Sequence, residues 1–349
     1  METEAPLACI ESVKILSVTS APPLDPIPVG LHTFEHGRYK RTVQMNMRAT
    51  YFDDVVVSSV FERLPSFRYP VVTYSSARDF ARNAVAAGKQ ARASVSVAHV
   101  YAEPVLDLRA FVPNNMAHLL LDIIPYTLLA RDVVGPGLRV LTQPVRGPFL
   151  ELLGIFGISP IWQDRRVTGR MIKMSGTRGL AVYDLLSTFD CNGVHFAPRV
   201  YANADFPSGF GFERIFLARR APRSLENQAE IETVTNRYGY KTVFMEDYSV
   251  RDQLAIAAQA RHVVAVHGAA ISLLMVNRGL ESVVEILPPN VYHQLFPTCL
   301  GRRVRRYDQI VPEHDPRVAH CGWEAIQYFK NRNFSVDAAL LDRLLLEIS

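Results

Sequence analysis

No run of apolar residues in this chain approaches the roughly 18–20 that a membrane-spanning helix needs, so any membrane contact is expected to be peripheral. Cysteine is scarce. Cys9, Cys191, Cys299 and Cys321 are scattered, with no CxxC pair and no metal-like spacing, which argues against a zinc site and for free thiols in a reducing compartment. Two glycine-rich signatures are missing. The lack of GxGxxG argues against a nicotinamide dehydrogenase, and the lack of GxxxxGK(S/T) against a P-loop kinase. Neither sign of charge dominates: the formal charge is +4 and the pI about 8.9. That is too little to make nucleic acid the expected partner, and it suits anionic small molecules or an anionic membrane surface. There are no internal repeats and no low-complexity segments. The opening METEAPLACIES is acidic and lacks the basic-then-apolar layout of a signal peptide, so a cytoplasmic location is expected.

What is present is an ordinary globular composition, 48% apolar and 21% charged, over 349 residues. That length suits two domains better than one core. Up to about residue 45 the chain is rich in proline and turn formers. It is expected to be an irregular surface arm, with one strand at Val13–Val18. A mixed α/β half follows, with strands at Asp53–Ser59, Val95–Val100, Pro104–Arg109 and Leu138–Thr142, two short ones within Ile161–Met174, and helices at Ser76–Ala87 and Pro148–Phe156. In between, Asn114 and Asn115 are good caps for a Leu/Ile-rich helix that carries His118 and Asp122 four residues apart, hence on one face. Gly209-Phe210-Gly211 marks a change, and three segments are expected: residues 1–208, 209–322 and two tail helices in 323–349.

From there the pattern is regular. Strands at Arg214–Arg219, Lys241–Met245, His262–Val266, Val283–Leu287 and Arg303–Gln309 alternate with helices at Asn227–Tyr238, Ser249–Ala260, Ala269–Asn277 and Tyr292–Leu300. Apolar runs of this length suit strands buried on both faces, so the pattern predicts βαβ units on a doubly wound parallel sheet. The stretch HVVAVHGAAISLLMVNRGLESVVEILP is its centre: strand, tight turn at His267-Gly268, helix, strand. A helix opening at Gly268 would turn its amides, with that of Ala269, toward whatever lies beyond the first strand, which suits a phosphate.

In such a sheet ligands bind beyond the carboxyl ends of the strands. The residues expected there are Arg219, Arg220, Arg223, Glu246, Asp247, His267, Gly268, Glu285 and His293. Arginine's forked, permanent charge suits a pyrophosphate. Each candidate also has a plainer role. His267-Gly268 is what an ordinary strand-to-helix turn contains, and the arginines fit a solvated loop. Glu246 and Asp247 fit a helix cap, and His118–Asp122 a structural pair. Glu285 sits in an apolar strand where an unpaired acid is costly, so it is expected either on a ligand hydroxyl or in a buried pair with arginine. Arg302, Arg303, Arg305 and Arg306 fit a solvated edge strand, or a basic patch docking the protein at the inner face of the membrane.

Four segments together resemble glycosyltransferase family 61, a group that includes bacterial capsule and polysaccharide enzymes. They are IFLARRAPRSLENQAEI, TVFMEDYSVRDQLAIAAQARHVVAVHGAAIS, LLMVNRGLESVVEILPP and, upstream, NNMAHLLLDIIP. The first three run in order over about 75 residues. The sequence departs from the family's HGAGL at Ala270, and from the asparagine often found next at Ser272. The resemblance implies a GT-B architecture: two Rossmann-like domains facing across a cleft, the nucleotide sugar held by the C-terminal one, and the tail helices crossing back to the first. It implies inverting, metal-independent sugar transfer to an acceptor hydroxyl. The donor, a UDP-sugar, is a substrate; no cofactor is expected, and the acceptor is a glycan or lipid-linked saccharide. On this reading Arg219, Arg223, His267 and the Gly268–Ala269 amides meet the diphosphate, with Glu246 and Asp247 at the donor site. Glu285 holds ribose hydroxyls or an arginine, and His118 or Asp122 is the base. A sugar-nucleotide epimerase and a non-catalytic nucleotide-sugar-binding subunit of a polysaccharide assembly complex are the alternatives.

Overall fold

The structure is a computed structural model that describes residues 9–16, 29–35, 38–44, 55–64, 99–109, 111–163, 167–176, 206, 209–289, 291, 295–300, 304–313, 328–329 and 332–349. The helix expected at Ser76–Ala87, residues 95–98, His293, Arg302, Arg303 and most of the helix expected at Trp323–Phe329 lie outside them. In chain order the strands are β1 Cys9–Leu16, β2 Val29–Glu35, β3 Arg38–Gln44, β4 Val55–Leu64, β5 His99–Val100, β6 Val105–Asp107, β7 Arg139–Thr142, β8 Pro160–Trp162 and β9 Val167–Gly176, then β10 Arg214–Leu217, β11 Lys241–Val243, β12 His262–Val266, β13 Ser282–Ile286 and β14 Arg306–Val311. Among the described residues no helix is long and apolar enough to cross a membrane.

The chain divides into two compact units, Met1–Ala21 with Tyr51–Gly193 and Pro22–Thr50 with Val194–Ser349. The second unit thus begins before the expected boundary at residue 208. It also reclaims part of the expected N-terminal arm: β2 and β3 pair antiparallel, and β2 joins β14 in parallel. Prolines around this segment hid a hairpin whose first strand pairs with one more than 260 residues on in sequence.

In the first unit the described strands form one sheet in the order β1-β4-β9-β6-β7-β8, with β5 on β9. Its parallel part, β6 to β8, is joined by two helices. The first, α1, comprises Met116–His118, a π-helical turn at Leu119–Ile123, and Ile124–Val134. Asn115 caps it, its side chain accepting from Ala117 N at 2.9 Å. The second, α2, is Pro148–Ile155.

In the second unit the order is β11-β10-β12-β13-β14-β2-β3, parallel except for the edge hairpin. The crossover helices are α3 Gln228–Arg237 and α4 Val250–Gln259, followed by a 3₁₀ segment at Ala269–Val276 where an α-helix was expected, then α5 Leu295–Leu300 and the terminal α6 Ala338–Ile348. Ser249 caps α4: its Oγ accepts from Asp252 N at 3.2 Å and donates to Asp252 Oδ2 at 2.7 Å.

One expectation is corrected here. β14 is an interior strand, buried from Tyr307 onward, because β2 covers its far side; it is not the solvated edge that its arginines suggested. Arg306 donates to Asp308 at 2.6 Å and to Glu347 at 2.8 Å. The terminal helix α6 packs within the second unit. Leu340, Leu341, Leu344 and Leu345 make one buried stripe in the same core as Ile231 and Val234 of α3. Tyr238 Oη donates to Asp342 Oδ1 at 3.0 Å and pins the outer face.

Asn277 fastens the centre of this unit. It is 1% exposed. Its Nδ2 donates to Ala257 O at 2.6 Å and Ala260 O at 2.5 Å, and its Oδ1 accepts from Gly279 N at 2.7 Å. The end of α4, whose last carbonyls have no partner within the helix, is thereby tied to the end of the 3₁₀ segment. Asn277→Ala leaves these groups unpaired and is expected to cost about 2–4 kcal/mol in urea unfolding; a change below about 0.5 kcal/mol would contradict the assignment.

Candidate functional site

Counted along the chain, the strands β10, β11, β12, β13 and β14 lie in the spatial order 2-1-3-4-5. In a doubly wound sheet of this order the crossovers leave to opposite faces between the first and third strands, and ligands bind at the carboxyl ends there. The loop after β10 carries Arg219 to Arg223. The turn after β12 is His267-Gly268. The sheet therefore brings together the two segments that the sequence singled out separately.

Glu285 lies on β13, opposite Ala265 on one side and Gln309 on the other. It is completely buried. His267 Nδ1 meets Glu285 Oε1 at 2.6 Å, while Oε2 accepts from Tyr307 Oη at 2.9 Å and Gln309 Nε2 at 2.8 Å. These hydrogen bonds go to a histidine, a phenol and an amide, and the completely buried carboxyl touches the His267 ring. The histidine is itself 7% exposed, its main-chain N–H bonds Ile286 O at 2.8 Å, and its ring lies against Phe296 at 5.7 Å.

Gly268 follows in extended backbone, φ 169° and ψ 175°. Any residue can adopt that conformation, so the glycine is there for space. A Cβ at this position would sit 2.3 Å from Arg219 Nη1. The guanidinium rests on the glycine, with Nη1 3.4 Å from His267 O and Nε donating to Pro222 O at 3.1 Å. The Arg219 pKa is lowered to about 10, chiefly by burial and then by the charge of Arg223, with Glu246 opposing both. Burial likewise pulls Arg223 down. Arg223 has φ 69°, left-handed backbone that costs a non-glycine residue about 1–2 kcal/mol. Its Nε is buried with no hydrogen-bond partner among the described residues. Two half-buried cations side by side, one with an unpaired donor, make a place where an anion gains on every count.

Arg220 has a different part. It makes a two-pronged pair with Asp247, 2.7 and 2.6 Å, lies 3.5 Å from Glu246, and stacks on Phe244 at 4.4 Å. The pair is exposed and holds the Asp247 carboxyl below the usual range. Glu246 and Asp247 face Arg220 and anchor the arginine loop, and the charge of Glu246 also acts on Arg219. The 3₁₀ segment starts at Ala269, with Ile271 N bonding Gly268 O at 3.1 Å. Ser272 donates its hydroxyl to Ala269 O at 2.6 Å, within the segment.

In the first unit, His118 Nδ1 and Asp122 Oδ2 are 3.0 Å apart, side chains 29% and 7% exposed. The pair spans a π-helical turn, a feature often found at functional sites. Burial raises the Asp122 pKa, and His118 counteracts it. The carboxyl ends of β6 to β8 are fastened by polar side chains that sequence reasoning missed. Arg109, 1% exposed, clasps Asp107 at 2.8 and 2.7 Å and donates to Gln163 O at 2.9 Å. Gln143 donates to Arg109 O at 2.9 Å, and Asn114 bridges Pro144 O and Arg146 N at 2.7 and 3.0 Å. The spacing Asp107-x-Arg109 at a strand end was the available signal. For Tyr307 and Gln309 there was none, since their part depends on register with β13.

Residues 116–278 match the family Glycosyltransferase 61. The match spans a little under half of the chain, takes in His118, Asp122, the arginine loop and His267-Gly268, and stops short of Glu285. It supports the family and, with it, a glycosyltransferase. No curated protein matches the chain.

The state of Asp122 gives a signed expectation. Its folded pKa is raised, so the folded chain holds that proton more tightly than the unfolded one. The stabilisation this brings is complete below the ordinary value of 3.8 and is lost as pH rises through the raised value. Asp122→Asn has no such loss. Its stability relative to the parent, from urea unfolding at about pH 4 and about pH 7, is expected to improve with pH. A relative stability that worsens with pH would mean that the ionised pair with His118 is a net gain.

Proposed function

We propose that this protein is an inverting glycosyltransferase that moves a sugar from a nucleoside diphosphate to an acceptor hydroxyl, with protein cations and amides rather than a metal carrying the charge of the leaving group. The observation that carries the reading is the pair of half-buried arginines beside Gly268 at the switch point of the sheet, within the family-matched stretch. In-line displacement forms the bond from acceptor oxygen to anomeric carbon as the bond to the diphosphate oxygen breaks. Arg219, Arg223, His267 and the Gly268–Ala269 amides are suited to the charge that grows on that oxygen. The acceptor proton goes to a base. Of the His118–Asp122 pair, the histidine is the more exposed and so the one a substrate can reach. Asp122, behind it, fixes the ring through Nδ1 and leaves Nε2 to take the proton.

The wider reading follows the resemblance. The second unit is the nucleotide-sugar domain of a GT-B pair and the first supplies the acceptor side. The donor is a UDP-sugar, and the acceptor a glycan or lipid-linked saccharide in polysaccharide synthesis at the cytoplasmic face.

Steady-state transfer with a chelator present tests the assignments together. Gly268→Ala, which displaces Arg219, is expected to raise the donor KM about 10- to 100-fold. His118→Ala is expected to lower kcat by about 10²–10⁴ with donor KM unchanged. Unaltered donor KM in the first, near-normal turnover in the second, or activity lost to chelator and restored by manganese would each overturn the corresponding assignment.

A further inference from the structure

We propose that the nucleoside of the donor lies over the carboxyl end of β11, its base on the open face of the Arg220 guanidinium and its ribose hydroxyls on Glu246. The inference rests on the diphosphate reading of the site above and adds where the remainder of the donor goes.

β10 and β11 are parallel neighbours, with Leu217 opposite Val243. The arginine loop and the residues from Phe244 to Asp247 therefore leave the sheet side by side at the same end. A diphosphate held by Arg219 and Arg223 has the turn after β11 next to it, roughly one strand spacing of about 5 Å away. In dinucleotide-binding sheets an acid about 20 residues beyond the phosphate-binding turn takes the ribose hydroxyls. Glu246 follows Arg223 by a similar interval.

Arg220 is built as a flat surface. Asp247 takes one edge of the guanidinium, through Nη1 and Nη2 at 2.7 and 2.6 Å. The Phe244 ring covers one face, its centroid 4.4 Å from Cζ. Half of the side chain is still exposed. With an edge and one face taken, that exposure includes the second face. An exposed ion pair adds little to stability. A guanidinium fixed in one plane is, by contrast, a platform for a nucleobase, since every base has a π face to lay on it. Glu246 is 48% exposed and 3.5 Å from Arg220, so its carboxylate stands at the rim of that platform. An ionised carboxylate accepts and does not donate, which suits hydroxyl groups. The two parts of a nucleoside thus find their partners beside the two cations that suit its phosphates.

Calorimetric titration of the full chain with uridine, cytidine, guanosine and adenosine diphosphates, with their 2′,3′-dideoxy forms and with inorganic pyrophosphate tests this. Arg220→Lys keeps a charge for Asp247 but loses the plane. It is expected to weaken the best-binding nucleoside diphosphate about tenfold or more while pyrophosphate changes less than about threefold. Removing the charge of Glu246 affects every anion alike, so Glu246→Gln is read from the ratio of ribose to dideoxyribose affinities. That ratio is expected to be about tenfold in the parent and to fall below about twofold in the variant. If Arg220→Lys does not fold, the Glu246→Gln ratio decides. Equal losses for pyrophosphate and nucleotide in Arg220→Lys, or a ratio unchanged by Glu246→Gln, overturn this inference alone. Failure of pyrophosphate and of every nucleoside diphosphate to bind overturns the diphosphate reading and this inference with it.

Discussion

A carboxylate sealed from water ties together the strand ends on which the candidate site stands. Glu285 of β13 reaches His267 after β12 on one side and Tyr307 and Gln309 of β14 on the other. The features around the turn depend on it in sequence. The carboxylate holds the imidazole, and the main chain of His267 is held by Ile286. Gly268 follows in extended backbone, and its missing side chain lets the Arg219 guanidinium settle against the turn. Removing one partner from a buried charged network of this kind costs about 3–5 kcal/mol, so the cluster is a structural element as well as a chemical one.

The arginine loop divides its three cations between two tasks. Arg220 is neutralised by Asp247, with Glu246 nearby, and anchors the loop to the turn after β11. The hydrogen bonds of Arg219 go to main-chain carbonyls, and Arg223 keeps a buried donor without a partner among the described residues. A loop built only for stability would leave neither two neighbouring cations under desolvation nor a left-handed arginine at φ 69°. The excess of positive charge is local, in a chain whose formal charge is only +4.

Much of the second unit could be read before the structure, because apolar runs bounded by turn signals fix both the type and the order of parallel strands. What could not be read depends on pairing between distant segments. The prolines at 22, 23, 26 and 28 argued for an irregular arm, and nothing local revealed that β2 would cover β14. The stripe Leu340, Leu341, Leu344 and Leu345 announced an amphipathic helix but not the surface that would bury it. An acid in the middle of an apolar strand marked Glu285 as special. Its partners, however, follow from the register of β13 with β14, which no spacing within either strand contains. His118 and Asp122 were legible as a pair because four residues is one helical turn, whereas the π-turn between them left no mark in the sequence.

The central claim is that the second unit holds the diphosphate of a nucleotide sugar. It is tested most directly by thermal shift of the full chain against a panel of nucleoside diphosphate sugars, with the parent nucleosides as controls. At about 100 times Kd, at least one sugar nucleotide is predicted to raise the melting temperature by about 5–10 °C while its nucleoside leaves it unchanged. A panel in which no nucleotide sugar shifts the transition, or in which the nucleosides act as well as the diphosphates, would contradict it.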